Sequence, residues 1–245
     1  MYKDKAYKVL ARTHNISHNQ AKSLIDKGLV FAAGKKVNIA RLEIPIHTAF
    51  EILKPKKPKV LFTDEHILAL EKPPFIESYD LSNMFEGWHL LHRLDRETSG
   101  VILLIKEGSA FHIKAKEAFK NQEVYKEYVC LVHGILADSI EINKAISTTK
   151  RGFAKSRIDK KGLNALTLLT PLSIMGKKTL LKALIKTGRT HQIRVHCQSI
   201  NHPILGDRIY GKNDEAKRLM LHAHKIALLG YEFTSPLPKE LRIGE

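Results

Sequence analysis

Cysteine is scarce in this chain: only Cys130 and Cys197 occur among 245 residues. Two thiols, each inside a segment that reads as a regular element, make no disulfide framework, which suits a reducing compartment. Acidic residues are also few, 25 against 41 lysines and arginines, leaving a formal charge of +16 and an isoelectric point near 9.7. Long apolar runs are missing, which excludes a membrane-spanning helix. Met1-Tyr2-Lys3-Asp4-Lys5 lacks the apolar core of a secretory leader. No internal repeat or low-complexity stretch interrupts the chain. What is present is an ordinary globular composition, 43% hydrophobic and 27% charged, enough for a real core. A field this positive attracts polyanions. Nucleic acid is favoured over an anionic membrane, because no basic amphipathic helix or polybasic tail concentrates the charge. The expectation is a soluble cytoplasmic protein whose partners are polyanions rather than membranes.

The first 53 residues read as a separate module. Ser17-His18-Asn19-Gln20 fits a capping box, and the helix it opens carries Ala21, Leu24 and Ile25 on one face, with Gly28 placed to end it. Leu29 to Val37 reads as a hairpin with Gly34 in its turn. Lys22, Lys27, Lys35 and Lys36 cluster around this unit. Residues 54–59, Lys-Pro-Lys-Lys-Pro-Lys, form a semi-extended linker, since proline stiffens the backbone and neighbouring lysines repel. Residues 60–245 alternate strand and helix signals. Val60-Leu61-Phe62, Ile67 to Leu70, Val101 to Ile105, Tyr125 to Val132, Thr179 to Lys186 and Arg218 to Leu229 have strand character. Phe111, Ala115, Ala118 and Phe119 recur at helical spacing. The predicted class is mixed α+β, with short-range hairpins making much of the sheet antiparallel.

The most informative stretch is His92-Arg93-Leu94-Asp95-Arg96-Glu97-Thr98-Ser99-Gly100. It sets one carboxylate, Asp95, between two arginines on a loop just ahead of a buried strand, where rigid scaffolding can aim a reactive group. Arg93 and Arg96 would favour the ionised carboxylate, and an aimed carboxylate can act as a covalent nucleophile. A structural ion pair holding the loop is the competing reading. A second stretch, Thr187-Gly188-Arg189-Thr190-His191-Gln192-Ile193-Arg194-Val195-His196, is expected to start a helix at Thr187 or Gly188. Its two arginines and two histidines would then make an anion-facing surface. His191, His196, Cys197, His202, His222 and His224 accumulate nearby, but their spacings match no structural zinc pattern, so no metal is expected. Strand alternation puts Lys126, Tyr128 and Cys130 on one face. There a tyrosine can stack on a base while the lysine neutralises phosphate, or the ring can simply fill core. Asp207 and Arg208 either pair with each other or line a cleft.

The strings "HRLDRETSGVILL", "YKEYVCLVHG", "TGRTHQIRVHC", "HPILGDRIYG" and "RLMLHAHKIAL" stand in the order found in RluA-type pseudouridine synthases. The chain resembles that family from Val60 onward. "AKSLIDKGLVFAAGKKV" is similar to the S4 RNA-binding domain, a common companion in the family. The resemblance implies a bent, mostly antiparallel mixed sheet with flanking helices, and isomerisation of uridine to pseudouridine in RNA without cofactor or metal. It implies Asp95 as the catalytic aspartate, Tyr128 as the ring stacked on the uracil, and Arg194 as the arginine that pairs with the aspartate. Arg93 would contact the flipped-out region. His92, Lys126, Arg189, His191, Lys22, Lys35 and Lys36 are the further expected RNA contacts. One departure stands out: the family's Lys-Pro-x-Gly element is Lys72-Pro73-Pro74-Phe75 here, without the glycine. Large-subunit ribosomal RNA is the expected target, with tRNA as the alternative, and the chain is expected to work as a monomer. Two other readings are a non-catalytic RNA-binding or ribosome-assembly protein, and a ribonuclease using His191 or His196 as general base.

Overall fold

A computed structural model describes residues 2–149, 154–212 and 214–242. The chain divides into two compact units, Met1–Lys56 and Lys57–Glu245. The first contains β1 (Lys3–Lys5), α1 (Ala6–His14), α2 (His18–Asp26), β2 (Val30–Ala32), β3 (Lys35–Lys36), β4 (Glu43–Pro45) and β5 (Phe50–Ile52). The capping box of α2 forms in both directions: Gln20 N–H donates to Ser17 Oγ at 3.1 Å, and Ser17 N–H donates to Gln20 Oε1 at 2.9 Å. The β2–β3 turn uses left-handed backbone at Ala33 and Gly34, φ 48° and 74°, the pair of positive angles that matches strand twist in a tight hairpin. Helix α1, which the sequence reading did not identify, buries Ala6, Val9 and Leu10 against Ala21, Ile25 and Val30.

The second unit runs β6 (Lys59–Thr63), β7 (Ile67–Lys72), α3 (Ser78–Ser82), β8 (His89–Leu90), β9 (Ser99–Ile105), α4 (Ala110–Lys120), β10 (Tyr125–His133) and β11 (Ile140–Asn143). It continues through β12 (Ile146–Thr149), β13 (Lys155–Ile158), β14 (Leu166–Met175), β15 (Lys178–Ile185), α5 (Gln192–Ser199), β16 (Leu221–Leu228) and β17 (Tyr231–Thr234). Its main sheet has the order β11-β14-β15-β10-β16-β9-β7-β6, with β17 added to β16 and β8 to β9. Every pairing in that sheet is antiparallel except β16 with β9. This is the expected α+β class with a mostly antiparallel sheet. All seven residues of β9, Ser-Gly-Val-Ile-Leu-Leu-Ile, are buried, as a near-continuous apolar run requires of a strand covered on both faces.

The parallel junction needs a glycine. Gly100 sits at φ 115°, and a Cβ there would lie 2.1 Å from the carbonyl oxygen of Ala223. Gly100 pairs with Ala223, and Ala223 pairs with Tyr128 of β10. The register between β10 and β16 slips just there, between Glu127 and Tyr128; such a bulge re-aims a side chain. Tyr128 packs against two apolar clusters, one holding Cys130, Leu181, Ile193 and Cys197, the other holding Leu70, Ile102 and Leu104. The middle of the sheet therefore brings together the loop before β9, the start of β10 and helix α5.

Candidate active site

Asp95 lies between β8 and β9, about one-fifth exposed. Its partner is distant in sequence: Arg194 Nη1 donates to Asp95 Oδ2 at 2.9 Å. The same guanidinium grips a second carboxylate, Nε and Nη2 donating to Asp207 Oδ2 and Oδ1 at 2.7 and 2.8 Å. Two parallel N–H···O bonds of this kind fix the plane of an arginine. Asp207 is fully buried and also accepts the backbone N–H groups of Ile209 and Tyr210 at 2.9 and 3.1 Å. Burial pushes its carboxyl up, yet the Arg194 bonds and charge outweigh that and hold it below the usual carboxylate range. For Arg194, burial opposes the charge, but both carboxylates keep the guanidinium firmly protonated.

The arginines next to Asp95 in sequence point elsewhere, contrary to expectation. Arg96 faces Glu77 and Glu97 at 3.7 and 3.8 Å. Arg93 is exposed, with its Nη1 donating to Tyr79 Oη at 3.4 Å. Successive loop residues diverge, so adjacency in sequence does not make the pair.

Helix α5 begins at Gln192 rather than at Thr187 or Gly188. The reason is Gln192 itself. Its Oε1 accepts Thr187 Oγ1–H and Arg189 N–H at 2.7 and 3.1 Å, and its Nε2 donates to Leu166 O and Thr167 Oγ1. These bonds hold residues 187–189 as a loop. The anion-facing surface expected of the helix is accordingly absent, since Gln192 through Cys197 are all buried. His196 turns inward, Nδ1 on Thr167 Oγ1 and Nε2 on Lys144 O, each at 2.9 Å. His191 caps the helix in left-handed backbone, φ 56°, with Nε2 3.8 Å from Asp95 Oδ2.

Tyr128 stands close enough to Asp95 for the carboxylate to add to what burial does, raising its hydroxyl pKa. The residues paired with it on both sides are alanines, Ala183 and Ala223. Lys126 is not on an exposed face: it is buried, with Nζ donating to Lys186 O at 2.8 Å. Burial, helped by Arg189, pushes that ammonium down to about 8. His92 likewise turns into the protein, its Nε2 accepting Leu103 N–H at 3.1 Å and its ring stacking on Phe119. Burial first, then Lys126, lowers it to about 3. Arg189 donates from Nε to Asn164 O and lines a cavity of about 470 Å³ with Ser147, Thr148 and Lys161. In the first unit Lys35 is exposed, while Lys22 lies over the Tyr7 ring at 4.6 Å and Lys36 over Phe31 at 5.8 Å.

Lys72 and Phe75 resolve the missing glycine. Phe75 stands at the glycine position and takes the left-handed backbone itself, φ 71°, at a cost of roughly 1–2 kcal/mol. The loop is locked by Lys72, fully buried, whose Nζ donates to the carbonyls of Pro73, Ile76 and Arg96 at 3.0–3.1 Å. Phe75 N–H reaches the same Arg96 carbonyl at 2.7 Å, so the residue after Asp95 is tied down twice. Burial lowers Lys72 to about 7, with Asp95 opposing that shift.

Asp207 and Arg208 do not pair with each other: Arg208 instead pairs with Glu97. Ser156, which joins this network, carried no sequence signal, and Tyr210 lay inside the string "HPILGDRIYG" without being singled out. Among the described residues no cluster of three His, Cys, Asp or Glu side chains is placed to hold a metal ion, and no helix is long and apolar enough to cross a membrane.

An aspartate from a loop, an arginine from a helix and a tyrosine from a strand, gathered at the middle of one sheet, define a class that comparison with known proteins identifies. The family model described as RNA pseudouridylate synthase matches residues 52–199. An "Uncharacterized RNA pseudouridine synthase" of Helicobacter pylori is 61% identical over 241 residues, spanning 98% of this chain and 100% of that protein. The "Ribosomal large subunit pseudouridine synthase C" of Buchnera aphidicola is 35% identical over 194 residues, 67% of this chain and 60% of the other. Among solved structures, human RNA Pseudouridylate Synthase Domain Containing 1 matches with TM-score 0.64 and 25% identity, covering 74% of this chain and 84% of that one. The chain belongs to the RNA pseudouridylate synthase family and is an isomerase that modifies RNA.

Proposed function

We propose that Asp95 is the catalytic carboxylate, that Arg194 aims it, and that Tyr128 stacks on the target uracil. The observation that carries this is the Asp95–Arg194–Asp207 bridge, with two of its three members buried. Asp207 anchors the guanidinium along its Nε–Nη2 edge, and the remaining nitrogen presents itself to the one carboxylate that reaches solvent. Alanines flanking Tyr128 leave room for a flat base against its ring. The reaction breaks the N1–C1′ bond of uridine, turns the uracil and rejoins it through C5, releasing the C5 proton. A paired uridine must first be extruded, at a cost of a few kcal/mol, which contacts from basic side chains to phosphate offset. Arg93, exposed beside the Asp95 loop, and Arg189 with Lys161 at the adjoining cavity are suited to such contacts.

The substrate we favour is large-subunit ribosomal RNA. The Buchnera relative is named for it, and the first unit, with its helix, tight hairpin and lysines 22, 35 and 36, suits an S4-like module binding structured RNA. tRNA is the second reading. A ribonuclease using His196 is disfavoured, since both of its ring nitrogens are engaged inside the protein, and one using His191 predicts shortened RNA where an isomerase leaves chain length unchanged. The decisive experiment is pseudouridine mapping of ribosomal and transfer RNA from cells lacking the protein, complemented by wild type or Asp95→Asn. The expected outcome is loss of one or more large-subunit sites, restored only by wild type. Restoration by Asp95→Asn would sink the catalytic assignment, and loss confined to tRNA would sink the substrate.

A further inference from the structure

His191 has no role so far beyond its place among expected RNA contacts, yet its setting is unusual. It holds a non-glycine residue in left-handed backbone at the first turn of α5, a strain of order 1–3 kcal/mol that persists where surroundings over-determine it. What over-determines it is Tyr210. The hydroxyl of Tyr210 accepts the backbone N–H of Ser156 at 2.7 Å and lies 2.8 Å from His191 Nδ1. Ser156 is itself buried and fixed, with Oγ donating to Thr190 O at 2.7 Å. Tyr210 is further held by Arg194, whose guanidinium carbon lies 5.2 Å from its ring centre.

These contacts are consistent with one placement of the imidazole proton. A peptide N–H can only donate, so Tyr210 Oη is the acceptor in its bond with Ser156. Tyr210 Oη keeps its own proton to give, and His191 Nδ1, 2.8 Å away, is placed to accept it. A neutral imidazole with an accepting Nδ1 carries its hydrogen on Nε2. Burial keeps the ring below its ordinary pKa, against the pull of Asp95. Nε2 is the nitrogen 3.8 Å from Asp95 Oδ2, the oxygen that already accepts Arg194 Nη1–H.

Building on the proposed catalytic role of Asp95, we propose that His191 is a positioning residue. Held by Tyr210 with its proton on Nε2, it shares Oδ2 of Asp95 with Arg194 and leaves Oδ1 as the oxygen that meets substrate. The 3.8 Å gap closes to a hydrogen bond when RNA is bound, as loose geometry at free sites commonly does. Because Ser156 belongs to the β12–β13 hairpin, whose Ser147 and Thr148 line the cavity beside Arg189, the tautomer of His191 also depends on that hairpin staying in place.

Two substitutions separate this from an RNA-contact or folding role. Asn, like His, is enriched in left-handed backbone, and in His191→Asn its short amide keeps an acceptor near Tyr210 but no donor at the Nε2 position. His191→Gln places an amide N–H near that position. Single-turnover and steady-state tritium release from 5-tritiated uridine are measured on ribosomal and transfer RNA from cells lacking the protein. The expected result for His191→Asn is kcat lower by about 10- to 100-fold, the usual scale for a misplaced reacting group, with KM unchanged and melting temperature retained. His191→Gln recovers most of that loss. Tyr210→Phe lowers kcat in the wild-type background but adds nothing to His191→Asn, since coupled residues are not additive. A raised KM with unchanged kcat would make His191 an RNA contact and overturn the proposal, as would additive losses in the double variant or no rescue by Gln. A wild-type protein that releases no tritium from either RNA overturns the reading of Asp95 on which this rests; active wild type with fully active His191→Asn overturns only the role of His191.

Discussion

Arg194 touches two carboxylates, and removing the charge of each should have different consequences for stability. In Asp207→Asn one accepting oxygen becomes an NH2 group that faces an arginine N–H, so two donors meet in a site with no solvent. The bidentate grip at 2.7 and 2.8 Å is lost, and a buried guanidinium keeps only its exposed partner. Breaking a buried pair in this way costs about 3–5 kcal/mol. For a unit of this size each kcal/mol shifts the melting temperature by about 2–4 °C, so a fall of roughly 10 °C is expected. In Asp95→Asn the guanidinium keeps its Asp207 chelate, and the altered group is partly solvated. Stability should then change by less than about 1 kcal/mol, while pseudouridine formation is abolished. The assay is a pair of thermal melts alongside tritium release. At temperatures where Asp207→Asn is folded, its kcat should still fall by about 10- to 100-fold, because Arg194 is no longer aimed. If Asp95→Asn destabilises as much as Asp207→Asn, or Asp207→Asn melts like wild type, the view of Asp207 as the anchor is wrong.

Gly100→Ala should destabilise by at least about 3 kcal/mol, because its Cβ would meet a backbone carbonyl that cannot give way and its φ is positive; a urea midpoint equal to wild type would refute this. Lys72→Met leaves the carbonyls of Pro73 and Ile76 without the donor they share, while Arg96 O keeps only Phe75 N–H. At about 1–3 kcal/mol per orphaned group, partly offset by relief of a buried charge, a net loss of roughly 2–4 kcal/mol is expected, with faster hydrogen exchange at Phe75; a higher melting temperature would contradict it. Acid should weaken the fold through histidines buried in neutral form. His92 falls to about 3 and His222 to about 4, each chiefly by burial, so between pH 6.5 and 4 the unfolded chain binds more protons than the folded one. Their contribution is whole above pH 6.5 and is lost as pH drops toward those values. A melting temperature that stays flat from pH 7 to pH 4.5, or falls no less in His92→Gln, would exclude them as the cause.

Much of the sheet was legible because β9, β10, β15 and β16 carry apolar or aromatic runs whose character depends only on local sequence. The capping box of α2 and the turn at Gly34 were equally local. Helix α5 was misplaced because its start depends on Gln192 bonding to Leu166 and Thr167, more than twenty residues away. Lys126 was expected on an exposed face from strand alternation and His92 among the RNA contacts; burial between neighbouring strands and against α4 depends on residues far along the chain.

The sequence alone determined the chemistry that was available: a basic chain, an aspartate ahead of a buried strand, a tyrosine on a strand and an arginine in a conspicuous motif. It also pointed to the family through the order of five strings. Tertiary structure decided the partnerships. Asp95 passed over the two arginines beside it and met Arg194, 99 residues away. Asp207, undecided from its loop, became the buried anchor, and Phe75 took the backbone of the glycine it replaced. Local sequence sets which conformations and charges a residue can offer. Which charge it finally meets depends on strand order and burial, and those are properties of the whole chain.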